Sequence, residues 1–383
     1  MKKIFYWSPH LSNVATIKNV INSAKSLKMF TKKEYDVSII DTIGEWKDKK
    51  TNLNKFNVNV LSLSNLDLGN FLPITGFFKS RIFSLIILLT KLIPLKKILK
   101  KEKPDFFLMH LITIIPLIVM FFSTNNTKFI LRISGLPKLN FLRKVLWKAT
   151  SKKIYLVTCP SNQTRNDLLK LKIFPKEKLK ILYDPILEVN EISKNLKESF
   201  PQKFKNKKYF LNIGRLTKQK NQILLIKAFS RILKKYSNLD LIIIGEGEEK
   251  IKLMRFVQLN NLQNRVYFLG QVKNVYPFIK NSLGVISTSL WEDPGAVMIE
   301  SSFCKKPVIS SNCPNGPEEF LSYGKGGYLF LNNDIKDLEK NIITFLKDEK
   351  KIIMSKILIS KKKSKNYSMF DHYQKLNNFL KKS

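Results

Sequence analysis

Two successive series of short β-branched and aromatic runs, each run followed by a stretch of helical periodicity, constrain this chain's fold more than any other feature. Strands joined in that way are parallel, because a parallel neighbour can only be reached through a crossover helix. In the first half the expected strands are 2–7, 36–40, 57–61, 105–109, 128–133 and 154–158. In the second half they are 208–213, 239–244, 265–269, 284–287, 307–310 and 328–330. The stretch from about 185 to 205 is polar and lysine-rich, as a linker is. The expectation is an α/β protein of two Rossmann-like domains, 1–190 and 205–365, with a C-terminal helix over 366–381 returning to the first. A length of 383 residues suits two cores better than one.

Composition removes several function classes. At 44% hydrophobic residues the chain is not disordered. Cys159, Cys304 and Cys313 are odd in number and scattered, without metal-ligand spacing, which points to a reducing, cytoplasmic setting. The apolar run that ends at Trp7 is half the length of a signal-peptide core and reads as a strand. A net charge of +39 calls for an anionic partner or a lysine-rich proteome. The lysines are spread along the chain, with no basic tail, RNP-like strand or Cys/His finger. That distribution favours an anionic membrane surface over nucleic acid.

Two apolar stretches raise the membrane question. Residues 105–122 approach a spanning length, but Asp105, His110 and Pro116 interrupt them, so a strand and a core helix are expected. Residues 77–101 carry Phe77, Phe78, Ile82, Phe83, Leu85, Ile86, Leu88, Leu89, Leu92, Ile93 and Leu95, flanked by Lys79, Arg81, Lys91, Lys96, Lys97, Lys100 and Lys101. That pattern suits an interfacial helix, and it equally suits a packing helix with a solvated basic edge.

The chemistry concentrates in two segments. Strand 284–287 leads into Leu290-Trp291-Glu292-Asp293-Pro294-Gly295-Ala296-Val297-Met298-Ile299-Glu300. Asp293 is expected to cap a helix with Pro294 in its first position. The amides of Gly295, Ala296 and Val297 would then form an anion site. If Glu292 and Glu300 were both helical, a rise of ~1.5 Å per residue would put them about 12 Å apart. A retaining glycosidase pair stands only ~5–5.5 Å apart. Glu292 is therefore expected in the loop before the helix, each carboxylate serving different hydroxyls of one ligand. Two solvated glutamates on a capped helix are the plainer alternative. Strand 208–213 runs into Gly214-Arg215-Leu216-Thr217-Lys218-Gln219-Lys220-Asn221, a glycine turn with cations at a helix entrance. Arg215 suits bidentate contact with phosphate and Lys220 adds a point charge, although an ordinary turn with exposed lysines has the same residues.

Together these segments resemble the family 4 glycosyltransferases (group 1), retaining enzymes of the GT-B fold, in which two Rossmann-like domains face a central cleft. The family's Glu-x7-Glu motif is matched by Glu292 and Glu300, and its Gly-Arg-Leu…Lys motif by Gly214, Arg215, Leu216 and Lys220. Gly245-Glu246-Gly247 is similar to its Gly-x-Gly turn, and Phe268 to Val272 to its nucleobase edge. Cys313 to Glu319, with Gly324 and Gly327-Tyr328-Leu329, resemble members that build lipopolysaccharide, O-antigen or lipid-linked glycans. The resemblance implies a nucleotide-sugar donor and a lipid-linked or lipopolysaccharide acceptor, on the cytoplasmic face of the inner membrane. No metal or other cofactor is implied, and family frequency favours uridine as the base. Arg215 and Lys220 would neutralise the departing diphosphate and Glu292 would position sugar hydroxyls. Glu300 would hold the ribose, and the Val272 backbone would meet the base.

The N-terminal half departs from the family pattern. Adjacent glycines usually follow the first strand, where this chain has Ser8-Pro9-His10-Leu11-Ser12-Asn13-Val14, so amides near Asn13 would take their place. Ser134, followed by Gly135, stands where many relatives carry a histidine. The cleft candidates are His10, Asn13, His110, Ser134 and Gly135, with a satisfied core histidine as the plainer reading of His110 and a structural role for His372. The alternatives are another GT-B enzyme, such as a phosphorylase or epimerase, and a non-catalytic nucleotide-sugar binder.

Overall fold

The computed structural model describes residues 1–10, 15–31, 33–63, 77–123, 126–135 and 139–382. They divide into two compact units: Met1–Pro185 with Met369–Ser383, and Ile186–Ser368.

The first unit runs β1 (Lys2–Trp7), α1 (Ala15–Phe30), β2 (Tyr35–Asp41), α2 (Lys47–Asn54), β3 (Val58–Ser62), α3 (Phe77–Glu102) and β4 (Phe106–Met109). It continues through α4 (Ile114–Phe121), β5 (Lys128–Arg132), α5 (Phe141–Thr150), β6 (Leu156–Cys159), α6 (Asn162–Lys170) and β7 (Leu179–Ile181). The strands form a parallel sheet in the order β3-β2-β1-β4-β5-β6-β7. Tyr6 of β1 pairs with Ile39 on one side and Leu108 on the other. Both faces are covered, so the strands read as continuous hydrophobic runs rather than alternating ones. Phe5 and Trp7 enter the layer that holds α3–α5, while Ile4 and Tyr6 enter the opposite layer with α1 and the C-terminal Leu376 and Leu380. Burying each such side chain contributes roughly 1.5–3 kcal/mol.

The second unit contains α7 (Val189–Asn195), β8 (Lys208–Ile213), α8 (Gln222–Leu233), β9 (Leu239–Ile244), α9 (Lys250–Leu259), β10 (Val266–Phe268) and α10 (Tyr276–Asn281). There follow β11 (Gly284–Ser287), α11 (Ala296–Phe303), β12 (Val308–Ser311), α12 (Pro317–Phe320), β13 (Tyr328–Phe330), α13 (Ile335–Lys347) and α14 (Lys350–Ser364). Its parallel sheet has the order β10-β9-β8-β11-β12-β13. In both sheets the order reverses beside a central strand, which leaves a crevice at the carboxyl ends where ligands bind in such folds. The last helix, α15 (Met369–Lys381), belongs to the first unit, where His372 sits between the Tyr183 carbonyl (2.7 Å) and the Ser23 hydroxyl (2.8 Å).

The stretch 105–122 forms β4 and α4, as a strand and a core helix. Among the described residues no helix is long and apolar enough to cross a membrane. Helix α3 packs one side into the core. Ile87, Leu95 and Leu99 are buried in the core, while Leu85, Leu89 and Ile93 face solvent. The side chains before Leu85, Lys79 and Arg81 among them, lie outside the described residues.

Candidate functional site

Functional side chains are expected at the carboxyl edges of the two sheets. In the first unit, β1 delivers His10 and β4 delivers His110. His10 is buried, its Nδ1 3.1 Å from the Ser8 carbonyl and its ring edge-on to Trp46 at 4.8 Å. Burial holds its pKa below the usual histidine value. The His110 ring stacks on Tyr6 at 5.9 Å, and burial beside Arg132 pushes its pKa down to about 3. Its Nε2 is buried without a hydrogen-bond partner among the described residues, so His110 is not the satisfied core histidine that its sequence position suggests. His110, Ser134 and Gly135 line one cavity. His10 is not part of that cavity's lining, and Asn13 lies outside the described residues.

In the second unit three loops stack at the carboxyl ends of β8, β9 and β10. The Gly214 amide donates to the Ile244 carbonyl at 2.9 Å, Leu216 N to Glu246 O at 2.8 Å, and Gly245 N to Gly270 O at 2.8 Å. The Gly-x-Gly turn exists because of this stacking. A Cβ on Gly245 would lie 1.9 Å from the Gly214 oxygen, and one on Gly247 2.3 Å from the Leu216 oxygen. The turn thus supports the loop that carries Arg215, whose side chain is exposed. Val272 follows in the loop between β10 and α10.

A second set of hydrogen bonds ties that loop to the segment after β11. Thr288 Oγ1 donates to the carbonyls of Lys220 (3.0 Å) and Asn221 (3.1 Å), and Leu290 N to the Gln219 carbonyl at 2.8 Å. Lys220 and Glu292 form an ion pair, and the Ser289 hydroxyl donates to the same Glu292 oxygen at 2.6 Å. Glu292 lies in the loop before α11, as expected. Asp293 and Pro294 do not start the helix, however: α11 begins at Ala296 with Gly295 as its N-cap at φ +94°, a backbone conformation that glycine adopts without strain. Gly295 leaves the first-turn amides, those of Ala296 and Val297 among them, without carbonyl partners inside the helix. Behind them Gly316 approaches so closely that a Cβ there would meet the Pro294 oxygen at 2.7 Å. Glu300, one helical turn further, accepts a hydrogen bond from Tyr276 at 3.0 Å.

The structure therefore brings Gly214, Arg215, Lys220, Glu292, Gly295, Ala296, Val297 and Glu300 to the carboxyl edge of one sheet. Residues 194–364, almost all of the second unit, match the model of the glycosyl transferases group 1. That segment is similar to the group 1 glycosyl transferases.

Relatives of the group 1 domain extend the likeness. An uncharacterized glycosyltransferase of Methanocaldococcus jannaschii is 35% identical over 243 residues, 59% of this chain and 60% of that protein. A Campylobacter jejuni protein named as an N-acetylgalactosaminyltransferase acting on a diphospho-undecaprenol glycan is 26% identical over 234 residues, 59% of this chain and 62% of its own. The match thus spans less than two thirds of either relative's length. An Anabaena protein solved in complex with UDP-glucose superposes with a TM-score of 0.75 at 18% identity, covering 100% of both chains. The fold of the whole chain is GT-B.

Three residues around the group 1 motifs are not singled out by the sequence. Ser289 and Tyr276 hold the two motif glutamates, and Thr288 holds the Lys220 backbone. The signal for Ser289 is weak in sequence, since a serine three residues before a glutamate is common. Tyr276 reaches Glu300 from 24 residues away in sequence, a separation that only the fold closes.

Proposed function

We propose that this chain is a retaining glycosyltransferase that moves a hexose or N-acetylhexosamine from a UDP-sugar to a lipid-linked or lipopolysaccharide-type glycan, without a metal ion. It would work as a peripheral protein on the anionic cytoplasmic face of the inner membrane. The observation that carries this reading is the joining of two loops in the second unit: the Arg215–Lys220 loop and the Glu292 loop share hydrogen bonds and an ion pair. Cations and first-turn amides on such a frame suit a nucleoside diphosphate. The UDP-glucose complex of the Anabaena protein and the diphospho-undecaprenol acceptor of the Campylobacter protein support the same substrate classes.

The chemistry follows from the residues. The bond between the sugar's anomeric carbon and the diphosphate breaks while the acceptor oxygen bonds to the same face of that carbon. The acceptor proton passes to the departing phosphate oxygen. Arg215 and Lys220 stabilise the charge that develops on the leaving group, a task that elsewhere falls to a divalent ion. Lys220 reaches the diphosphate from its pairing with Glu292, so Glu292 both places the ammonium and is available to sugar hydroxyls. Glu300, steadied by Tyr276, takes the ribose hydroxyls, and the Val272 backbone takes the base.

Turnover of α-linked UDP-sugars by the full chain, with EDTA present and a membrane lipid extract as acceptor, tests the reading. An α-linked product by NMR is expected. A β-linked product would exclude retention, and activity that returns only with Mn2+ or Mg2+ would exclude the metal-independent mechanism.

A further inference from the structure

The chain has four tryptophans, and three of them are core residues: Trp7, Trp46 and Trp147 are each 3% exposed or less. Trp291 is the exception, at 51% exposure. One exposed apolar side chain on a protein surface ordinarily needs no explanation. Trp291 differs in where it stands and in how it is held. It immediately precedes Glu292 in the loop between β11 and α11.

That loop is pinned on both sides of the indole. Leu290 N donates to the Gln219 carbonyl at 2.8 Å, and the Gln219 side-chain amide donates to the Trp291 carbonyl at 2.9 Å. The Asn332 amide donates to the Leu290 carbonyl at 3.0 Å, and Glu292 N to the Pro314 carbonyl at 3.2 Å. Gln219 belongs to the loop of Arg215 and Lys220, so the indole and the two cations share one frame. Among the described residues the indole makes no ring contact and its Nε1–H meets no acceptor. An aromatic face held in this way is preorganised, because no loop has to be ordered when a ligand covers it.

The order of the sheet decides which part of a ligand reaches that face. The loops after β10, β8 and β11 carry, in turn, Val272, the pair Arg215 and Lys220, and Glu292. Strands β10 and β11 are separated by three strand spacings of ~4.8 Å each. On the donor reading the base lies at one end of this edge, the diphosphate in the middle and the sugar at the Glu292 end. Trp291 therefore stands with the sugar. A pyranose carries its hydroxyls on the rim and C–H bonds on its faces. The slightly positive C–H face suits the negative π-face of an indole and buries apolar area against it. A diphosphate gains nothing from such a face.

We propose that the Trp291 indole is a stacking platform for a pyranose ring at the sugar end of the donor site. The proposal rests on the reading of the second unit as a nucleotide-sugar site. Two rings have the required chemistry, the sugar transferred and the terminal sugar of the glycan that receives it, and the test separates them.

Acrylamide, an uncharged quencher, reports on Trp291 because the other three indoles are buried. Quenching and calorimetry are run on the full chain with UDP, and with the UDP derivatives of glucose, galactose and their N-acetylated forms. Methyl glycosides of the same four sugars are then added to the UDP complex. UDP alone should leave the quenching unchanged. Covering the indole should lower quenching about twofold or more, with a sugar nucleotide if the stacked ring is the transferred one, with a glycoside if it is the receiving one. Trp291→Ala should weaken that ligand about fivefold, and Trp291→Tyr should recover most of the loss. UDP affinity should be the same in all three proteins, which reports that the variants are folded. Quenching that no bound sugar nucleotide or glycoside lowers would overturn the proposal, as would a Trp291→Ala variant that binds the sugar ligand as tightly as the parent. Either result with UDP binding intact removes the platform alone. Absence of UDP binding removes the donor reading and the platform with it.

Discussion

Lys220 and Glu292 form an ion pair in which both side chains are mostly buried, at 20% and 11% exposure. Removing one partner of such a pair leaves the other charge poorly solvated, at a cost of roughly 3 kcal/mol. Lys220→Ala should therefore lower the melting temperature, and adding Glu292→Gln should restore a large part of the loss. A double mutant no more stable than Lys220→Ala would mean that the pair contributes nothing. The first unit's buried titratable groups set the pH response. Burial pushes His110 and His372 from 6.5 down to about 3, so the unfolded chain takes up protons that the folded one refuses. Stability is lost as pH falls from 6.5 towards 3. Burial next to Asp41 raises Glu45 from 4.5 to about 8, so the folded chain keeps a proton that the unfolded chain releases. That contribution declines as pH rises from 4.5 through 8. His10, also lowered by burial, acts in the same sense as these two histidines, and Asp184, raised by burial, in the same sense as Glu45. Three histidines outweigh two carboxyls below 6.5, and thermal stability should peak near that pH. Glu45→Gln should flatten the alkaline limb and His110→Gln the acid one, by differential scanning fluorimetry.

At the scale of elements, the loop stack of the second unit depends on glycines where backbone meets backbone. Gly245→Ala would force its Cβ into the Gly214 carbonyl, and should cost both stability and nucleotide affinity, by at least tenfold in the latter. An unchanged affinity would detach this turn from the site. Helix α5 supplies a second prediction. If its apolar side chains meet lipid, Phe141→Ser with Leu142→Ser should reduce co-sedimentation with anionic vesicles while the protein stays folded, because both side chains are exposed. Most elements were legible from sequence for a simple reason. Central strands such as β1, β8 and β9 are buried on both faces and are dominated by hydrophobic residues, with Asn212 and Asp240 as the polar exceptions in β8 and β9. Strand β7 is three residues long with a lysine in its middle, and carries no such signal. The start of α11 was misplaced because Asp293 and Pro294 have the chemistry of a cap and first turn, whereas Gly295 takes the cap position. The motif residues were legible through their spacing, but the residues that hold them were not, because Tyr276 and Ser289 act across loops that only folding brings together.

For the molecule as a whole, the chain divides into two parallel α/β units, with a nucleotide sugar proposed for the second and a lipid-linked acceptor proposed for the chain. The net charge of +39 is compatible with both, since a diphosphate and an anionic bilayer attract cations alike. The donor site is the assignment on which the others depend. Its most direct test is calorimetric titration of the full chain with UDP and with GDP in EDTA, repeated on Arg215→Ala and Glu300→Ala. The account predicts metal-independent binding of UDP, weaker or absent binding of GDP, and a loss of about tenfold or more for UDP in each variant. Binding that needs a divalent ion, or UDP affinity unchanged by both substitutions, would contradict it.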